Sequence, residues 1–258
     1  MIHRLTIKDP KATPIEFWSN IPWLKSLTQL DFKPGLNIII GPNGSGKSTL
    51  LKALAMITHC RQSGISTITQ ASCRELTGRR TNKVLDGIQI ESNGTPTGYF
   101  TPEEKPGLIG GMAGFDYDFL AAGVYAATFK GSSGENTMQF YVATIEKLLA
   151  TKSITTKTQT TAGHDFAFTS AKPSPEPPTI LLDEPERAIS LTLQGTLWAG
   201  IENIASGRAP NPAQIIVATH SPLCLFRNAN YIETKQGFLN ELKAVMTQEA
   251  TRILENRE

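Results

Sequence analysis

The 258-residue chain has only three cysteines, Cys60, Cys73 and Cys224, and no two of them stand at a pairing or chelating spacing. So sparse and odd a set argues against a disulfide framework and suits a reducing cytoplasm, which is the expected compartment. None of the four histidines joins a cysteine at zinc-site spacing. An excess of one charge is also missing. Lys and Arg total 25 against 23 Asp and Glu, a net +2, too small to argue for nucleic acid or against it. The local basic cluster of Arg74, Arg79, Arg80 and Lys83 reads as a solvated face. Long hydrophobic runs are absent. The opening MIHRLTIKDP has no apolar signal core. The longest weakly polar stretch, Gly107 to Phe129, contains Asp116, Asp118 and several glycines and makes a poor membrane span, so no stable membrane insertion is expected. There is no internal repeat and no heptad run. At 40% hydrophobic and 19% charged residues, the chain reads as an ordinary globular protein large enough to bury a core without disulfide or metal.

What is present is an alternation of buried strands and helices. His3 to Lys8 alternates as a strand, and the proline-rich stretch from Pro10 to Pro22 reads as a loop. Leu30 to Phe32 and Leu36 to Ile40 read as strands around a Lys33-Pro34-Gly35 turn, the second as a continuous apolar run buried on both faces. Leu50, Leu51, Leu54 and Ile57 fall at helical spacing within Ser48 to Ile57. Further strands are expected at Val84–Glu91, Thr179–Leu182, Gln214–Thr219 and Tyr231–Glu233. Helices are expected at Glu135–Leu149, Leu191–Ile204 and from Gly237 onward. The Thr-, Ser-, Lys- and Pro-rich segment 151–178 reads as a flexible surface insertion. Phe17, Trp18 and Trp23 read as packing residues, with adenine stacking as the alternative for one of them.

Three short strings carry chemistry. Gly41 to Thr49 reads GPNGSGKST, the G-x-x-x-x-G-K-S pattern of a phosphate-binding P-loop, between a strand and a helix. Glycines let backbone N–H groups curl around phosphate oxygens, and the following helix aims its positive end at them. Pro42, Asn43, Gly44, Ser45, Gly46, Lys47, Ser48 and Thr49 are therefore expected to bind ATP. Lys47 would reach the β- and γ-phosphates and Ser48 would hold Mg²⁺. Thr179 to Glu186 reads TILLDEPE, an apolar strand ending in acids, or Walker B pattern. Asp183 would hold Mg²⁺ and Glu184 would polarise the attacking water. In Gln214 to Pro222, QIIVATHSP, His220 sits just past a buried strand, near the expected γ-phosphate. A fourth string, GSSGE at Gly131 to Glu135, on its own reads as a helix-capping turn.

Taken in order, the P-loop, GSSGE, DEPE and ATHSP resemble an ABC-type ATPase from about Leu30 to Glu233. GSSGE is similar to the family signature LSGGQ, with Gly131 where Leu is usual and Ser133 where Gly is usual. The wording is most similar to the soluble RecF/SMC/SbcC-like branch and to small bacterial ABC-like, AAA-family ATPases. Transporter ATPases more often have Asp where Ser190 stands. The Q-loop glutamine has no clear counterpart in GYFTPEE, where Glu103 is the nearest substitute.

The resemblance implies an α/β P-loop NTPase fold of ABC-ATPase type, in a single domain over 1–258. A mixed sheet core would carry the P-loop, with a helical lid at about 104–150. It implies a homodimer that sandwiches two ATP head to tail, with Ser132, Gly134 and Glu135 reaching the γ-phosphate held by the other subunit. Segment 151–178 is too short and Pro-rich for a long coiled-coil arm. The implied activity is ATP hydrolysis with Glu184, His220 and Lys47 at the reacting phosphate, in a switch that gates a partner such as a nuclease. DNA repair, DNA maintenance and anti-phage defence are the settings considered. The ATPase subunit of a membrane transporter and an ATP-sensing scaffold with little hydrolysis are the alternatives.

Overall fold

The computed structural model describes residues 1–8, 18, 20–58, 61–62, 88–93, 95, 97–101, 159–161, 164–166, 177–187, 189–208 and 212–255. Outside them lie the GSSGE signature, the expected lid at 104–150, Glu103, Phe17, the basic cluster, Cys60, Cys73 and most of segment 151–178.

The described elements are β1 (Ile2–Ile7), α1 (Pro22–Ser26), β2 (Gln29–Asp31), β3 (Leu36–Ile40), α2 (Lys47–Ile57), β4 (Arg61–Gln62), β5 (Ile88–Ser92), β6 (Thr97–Phe100), β7 (Gln159–Thr161), β8 (His164–Phe166), β9 (Thr179–Asp183), α3 (Leu191–Ala205), β10 (Gln214–Ala218), β11 (Asn230–Glu233) and α4 (Phe238–Glu255), with a 3₁₀ turn at Pro222–Phe226 before β11. Parallel and antiparallel strands are both present, in separate sheets. Six parallel strands run in the order β11-β3-β10-β9-β6-β4, and β2-β1-β5 form an antiparallel sheet beside them.

The central strands β3, β9 and β10 are buried at every position, and their side chains divide between two cores with the two-residue period of a strand. Ile39, Leu181, Ile216 and Ala218 face a core shared with α2, β1 and α1. Ile38, Ile40, Ile180, Leu182, Ile215 and Val217 face a second core with Leu197, Trp198 and Ile201 of α3. Among the described residues both faces of the parallel sheet are thus covered by helices, α2 and α1 on one and α3 on the other, as parallel strands require. Trp18 is buried in the first core, which closes it to a nucleotide. Among the described residues no helix is long and apolar enough to cross a membrane.

The structure corrects the sequence reading in two places. Pro22 does not end a loop: it opens α1 as a first-turn proline, a position where its missing N–H costs nothing. The run Leu36 to Ile40 is not wholly apolar, because Asn37 is fully buried within it. The asparagine is satisfied by accepting from Lys33 N–H (2.8 Å) and donating to the Lys33 carbonyl (2.7 Å), so it pins the turn before β3. Within segment 151–178, β7 and β8 pair as an antiparallel hairpin.

Gln214 stitches the two sheets together. Its amide is buried and accepts from Ile2 N–H (2.8 Å) and the Thr179 hydroxyl (2.9 Å) while donating to the carbonyls of Ile2 (2.8 Å) and Lys33 (3.0 Å). Removing it strands buried polar groups, whose desolvation is then uncompensated. Gln214→Leu is expected to lower unfolding free energy by about 2–4 kcal/mol in urea titration. Arg4→Ala, which breaks the exposed Arg4–Asp31 ion pair, should leave it nearly unchanged. Equal effects of the two would contradict the stitching role.

Candidate functional site

The site lies along the edge where the parallel strands end. β3 stops at Ile40 and the chain turns through Gly41 to Gly46 into α2. Backbone N–H groups at the start of α2 have no partner within the helix and carry its positive end. Two glycines make the turn possible. Gly44 has φ +72 and Gly46 has φ +94, both in the left-handed region. A Cβ on Gly46 would stand 2.8 Å from Leu24 Cδ1 and 3.0 Å from Ile21 Cγ2, whereas one on Gly44 would meet nothing within 4 Å. The close approach at Gly46 explains why α1 packs where it does, under the P-loop. Thr234, just after β11, donates to Ser45 Oγ at 2.7 Å and braces the loop from the side.

Lys47 is buried and donates to the carbonyls of Gly41 (2.9 Å) and Pro42 (3.0 Å), so its ammonium lies across the mouth of the loop. Burial pushes its pKa below the usual lysine value, opposed by the charges of Glu184, Asp183 and Glu186. Ser48 donates to Asp183 Oδ1 at 2.8 Å, and Tyr99 donates to Asp183 Oδ2 at 3.1 Å. Burial raises the Asp183 pKa, and these two hydrogen bonds act against the rise. Glu184 begins the turn after β9 with φ +46, the only non-glycine residue with positive φ among the described residues. Such a conformation costs about 1–3 kcal/mol and collects at functional sites. Its Oε1 lies 3.5 Å from His220 Nε2. Burial and the charge of Lys47 lower the His220 pKa, which the charges of Glu184 and Glu186 oppose, so neutral imidazole is favoured at neutral pH.

The donor set fits a magnesium nucleotide. Mg²⁺ takes oxygen ligands in an octahedron at 2.0–2.1 Å, which sets adjacent ligands about 3 Å apart. Ser48 Oγ and Asp183 Oδ1 are two such oxygens 2.8 Å apart. The P-loop, Lys47, Ser48, Asp183, Glu184 and His220 therefore converge as their sequence positions suggest. Ser132, Gly134 and Glu135 lie outside the described residues.

Three residues at the site have no role in the sequence reading. Tyr99 comes from β6, beside β9 in the sheet, and Thr234 follows β11, beside β3. Neither neighbour relation is visible along the chain. Glu186 was visible as the last letter of DEPE, and its partners are Thr219, His220 and Ser221. A cleft of about 380 Å³ lies at the opposite edge of the sheet, where β3 and β11 begin, lined by Lys33, Gly35, Glu202, Arg208 and Asn230 among others. None of the motif residues reaches it.

Comparison with known proteins adds a family. Residues 19–167 match the family model described as AAA domain. The match takes in the P-loop and stops short of β9, so Asp183, Glu184 and His220 enter on geometry alone. No curated protein matches the chain. Among solved structures, a metal-chelate type ABC transporter in an inward-facing conformation is similar at 14% identity and a TM-score of 0.41, over 81% of this chain and 72% of that one.

The two P-loop glycines should respond differently to a methyl group. Gly44→Ala is expected to cost about 1–2 kcal/mol for its left-handed backbone alone. Gly46→Ala adds the collision with Leu24 and Ile21 and is expected to cost about 2–5 kcal/mol. Denaturant unfolding of both variants checks this, and a Gly46→Ala cost no larger than that of Gly44→Ala would contradict the packing described.

Proposed function

The chain belongs to the AAA-domain family, and on that premise we propose that it is a nucleotide-driven switch that hydrolyses ATP at a site completed by a second copy of itself. The P-loop NTPase module binds and hydrolyses ATP. The observation that carries the finer reading is the Ser48–Asp183 hydrogen bond of 2.8 Å. It joins the P-loop helix to β9 and so brings Lys47, Asp183, Glu184 and His220 to one strand edge.

Each residue has a role that phosphoryl transfer requires, since positioning and charge stabilisation dominate that chemistry. The P-loop N–H groups and Lys47 hold the β- and γ-phosphates, with Lys47 exchanging the Gly41 and Pro42 carbonyls for phosphate oxygens. Ser48 and Asp183 hold Mg²⁺, which when bound neutralises charge on the β- and γ-phosphate oxygens. Glu184 orients a water and accepts its proton as the new O–P bond forms and the β–γ bridging P–O bond breaks, leaving ADP and phosphate. His220, beside Glu184, contacts the γ-phosphate and registers its presence.

The dimer reading rests on the resemblance of Gly131–Glu135 to the ABC signature. Ser132, Gly134 and Glu135 would then offer a hydroxyl and a helix N-terminus to the γ-phosphate of the partner subunit, a favourable arrangement for an anion. ATP would join the dimer and hydrolysis would release it. The DEPE and THSP wording supports the soluble branch and hence a switch that gates a partner, such as a nuclease, in DNA repair, DNA maintenance or anti-phage defence. Stimulation of hydrolysis by DNA or by such a partner supports this setting, and a rate indifferent to both removes it.

Lys47→Ala is expected to weaken ATP binding by about 10- to 100-fold, the worth of a charge-assisted contact. Glu184→Gln should keep ATP binding, lose at least about 10²-fold in turnover and accumulate as an ATP-bound dimer in sedimentation. Wild-type turnover in Glu184→Gln would overturn the assignment.

A further inference from the structure

Glu186 performs no chemistry in the reading above, yet it anchors the loop that carries His220. Its Oε1 accepts from the Thr219 hydroxyl (2.7 Å), His220 N–H (2.7 Å) and Ser221 N–H (3.0 Å). Thr219 Oγ1 also accepts from Ser221 N–H at 2.9 Å. On the other side of the loop, Ser221 donates to Gln194 Oε1 (2.9 Å) and accepts from Trp198 Nε1 (3.3 Å), both on α3. Glu186, Thr219 and Ser221 are buried, and Glu186 Oε2 is buried without a partner. A carboxylate taken out of water needs compensation, and here it comes almost entirely through one oxygen from three consecutive residues. The His220 imidazole, by contrast, is about one-third exposed. Its place is therefore set through its backbone.

We propose that Glu186 is the positioning residue for His220, holding the imidazole beside Glu184 at the reacting phosphate. This rests on the reading that His220 works at the γ-phosphate. The part Glu186 plays is that of a hydrogen-bond acceptor at a fixed reach. A misplacement of about 1 Å at a reacting group can cost on the order of 10²-fold in rate, so the anchor controls turnover without touching the nucleotide.

Two conservative variants separate reach from charge. Glu186→Gln keeps an acceptor oxygen at the Oε1 position and puts its amide nitrogen where Oε2 has no partner. Glu186→Asp keeps the charge but withdraws the carboxylate by one methylene, about 1.5 Å. Steady-state phosphate release, ATP affinity and hydrogen exchange at the His220 and Ser221 amides are measured for both, in wild-type and His220→Ala backgrounds. Glu186→Gln should retain turnover within about 3-fold. Glu186→Asp should lose about 10- to 10²-fold in kcat, with ATP affinity unchanged and both amides exchanging faster. In the His220→Ala background the aspartate should cost little more, because coupled residues are not additive. Turnover kept by Glu186→Asp and lost by Glu186→Gln would overturn the proposal, as would an undiminished aspartate effect without His220. If His220→Ala alone keeps wild-type turnover, the reading of His220 fails instead, so the two failures are distinguishable.

Discussion

Parallel strands that are buried on both faces must end together, and that constraint organises this molecule. Asp183 and Ile39 both stand opposite Ala218. β9 and β10 leave the sheet at the next residue and β3 one residue later, after Ile40, and each backbone must then find new partners. β3 does so through the glycine turn into α2, β9 through the strained Glu184, and β10 through Thr219 and His220. The Ser48–Asp183 hydrogen bond closes the gap between the first two, and the Glu184–His220 pair spans the second two. This edge thus brings together the P-loop turn, the N-terminus of α2 and the acids Asp183 and Glu184.

Among the buried polar groups of the described residues, some are placed where register has to be exact to within one residue. Gln214 fixes β1 against β10 and β9, Asn37 fixes the start of β3, and Glu186 fixes the loop after β10. In a sheet whose side chains alternate between two apolar cores, a one-residue slip would exchange both cores. Apolar packing alone discriminates weakly between such registers when both faces are apolar. A buried amide that must find its partners discriminates strongly, because every lost hydrogen bond leaves a desolvated group. The same logic governs Lys47, whose buried ammonium rests on two carbonyls.

The strands and helices that position the site were legible because each is a run of one period. Leu36–Ile40, Thr179–Asp183 and Gln214–Ala218 are short, mostly apolar runs bounded by breakers, and the P-loop glycines sit where only a strand–turn–helix accommodates them. The AAA-domain match over 19–167 takes in the P-loop. What stayed hidden depends on partners distant along the chain. Tyr99 meets Asp183 across 84 positions and Gln214 meets Ile2 across 212. The buried Asn37 was concealed by its apolar neighbours, and Pro22 by a composition that also suits loops. Glu186 was in plain view within DEPE, but a carboxylate that anchors backbone has no signature distinct from one that serves chemistry.

We propose that this edge of the sheet hydrolyses ATP, with a second copy of the chain completing the site. Phosphate release from Mg·ATP by the wild-type protein, followed over a wide range of protein concentration, tests it most directly. The account predicts release that requires Mg²⁺ and a specific activity that rises with protein concentration until dimerisation saturates. A specific activity independent of concentration would contradict the composite site, and no release at any concentration would contradict hydrolysis itself.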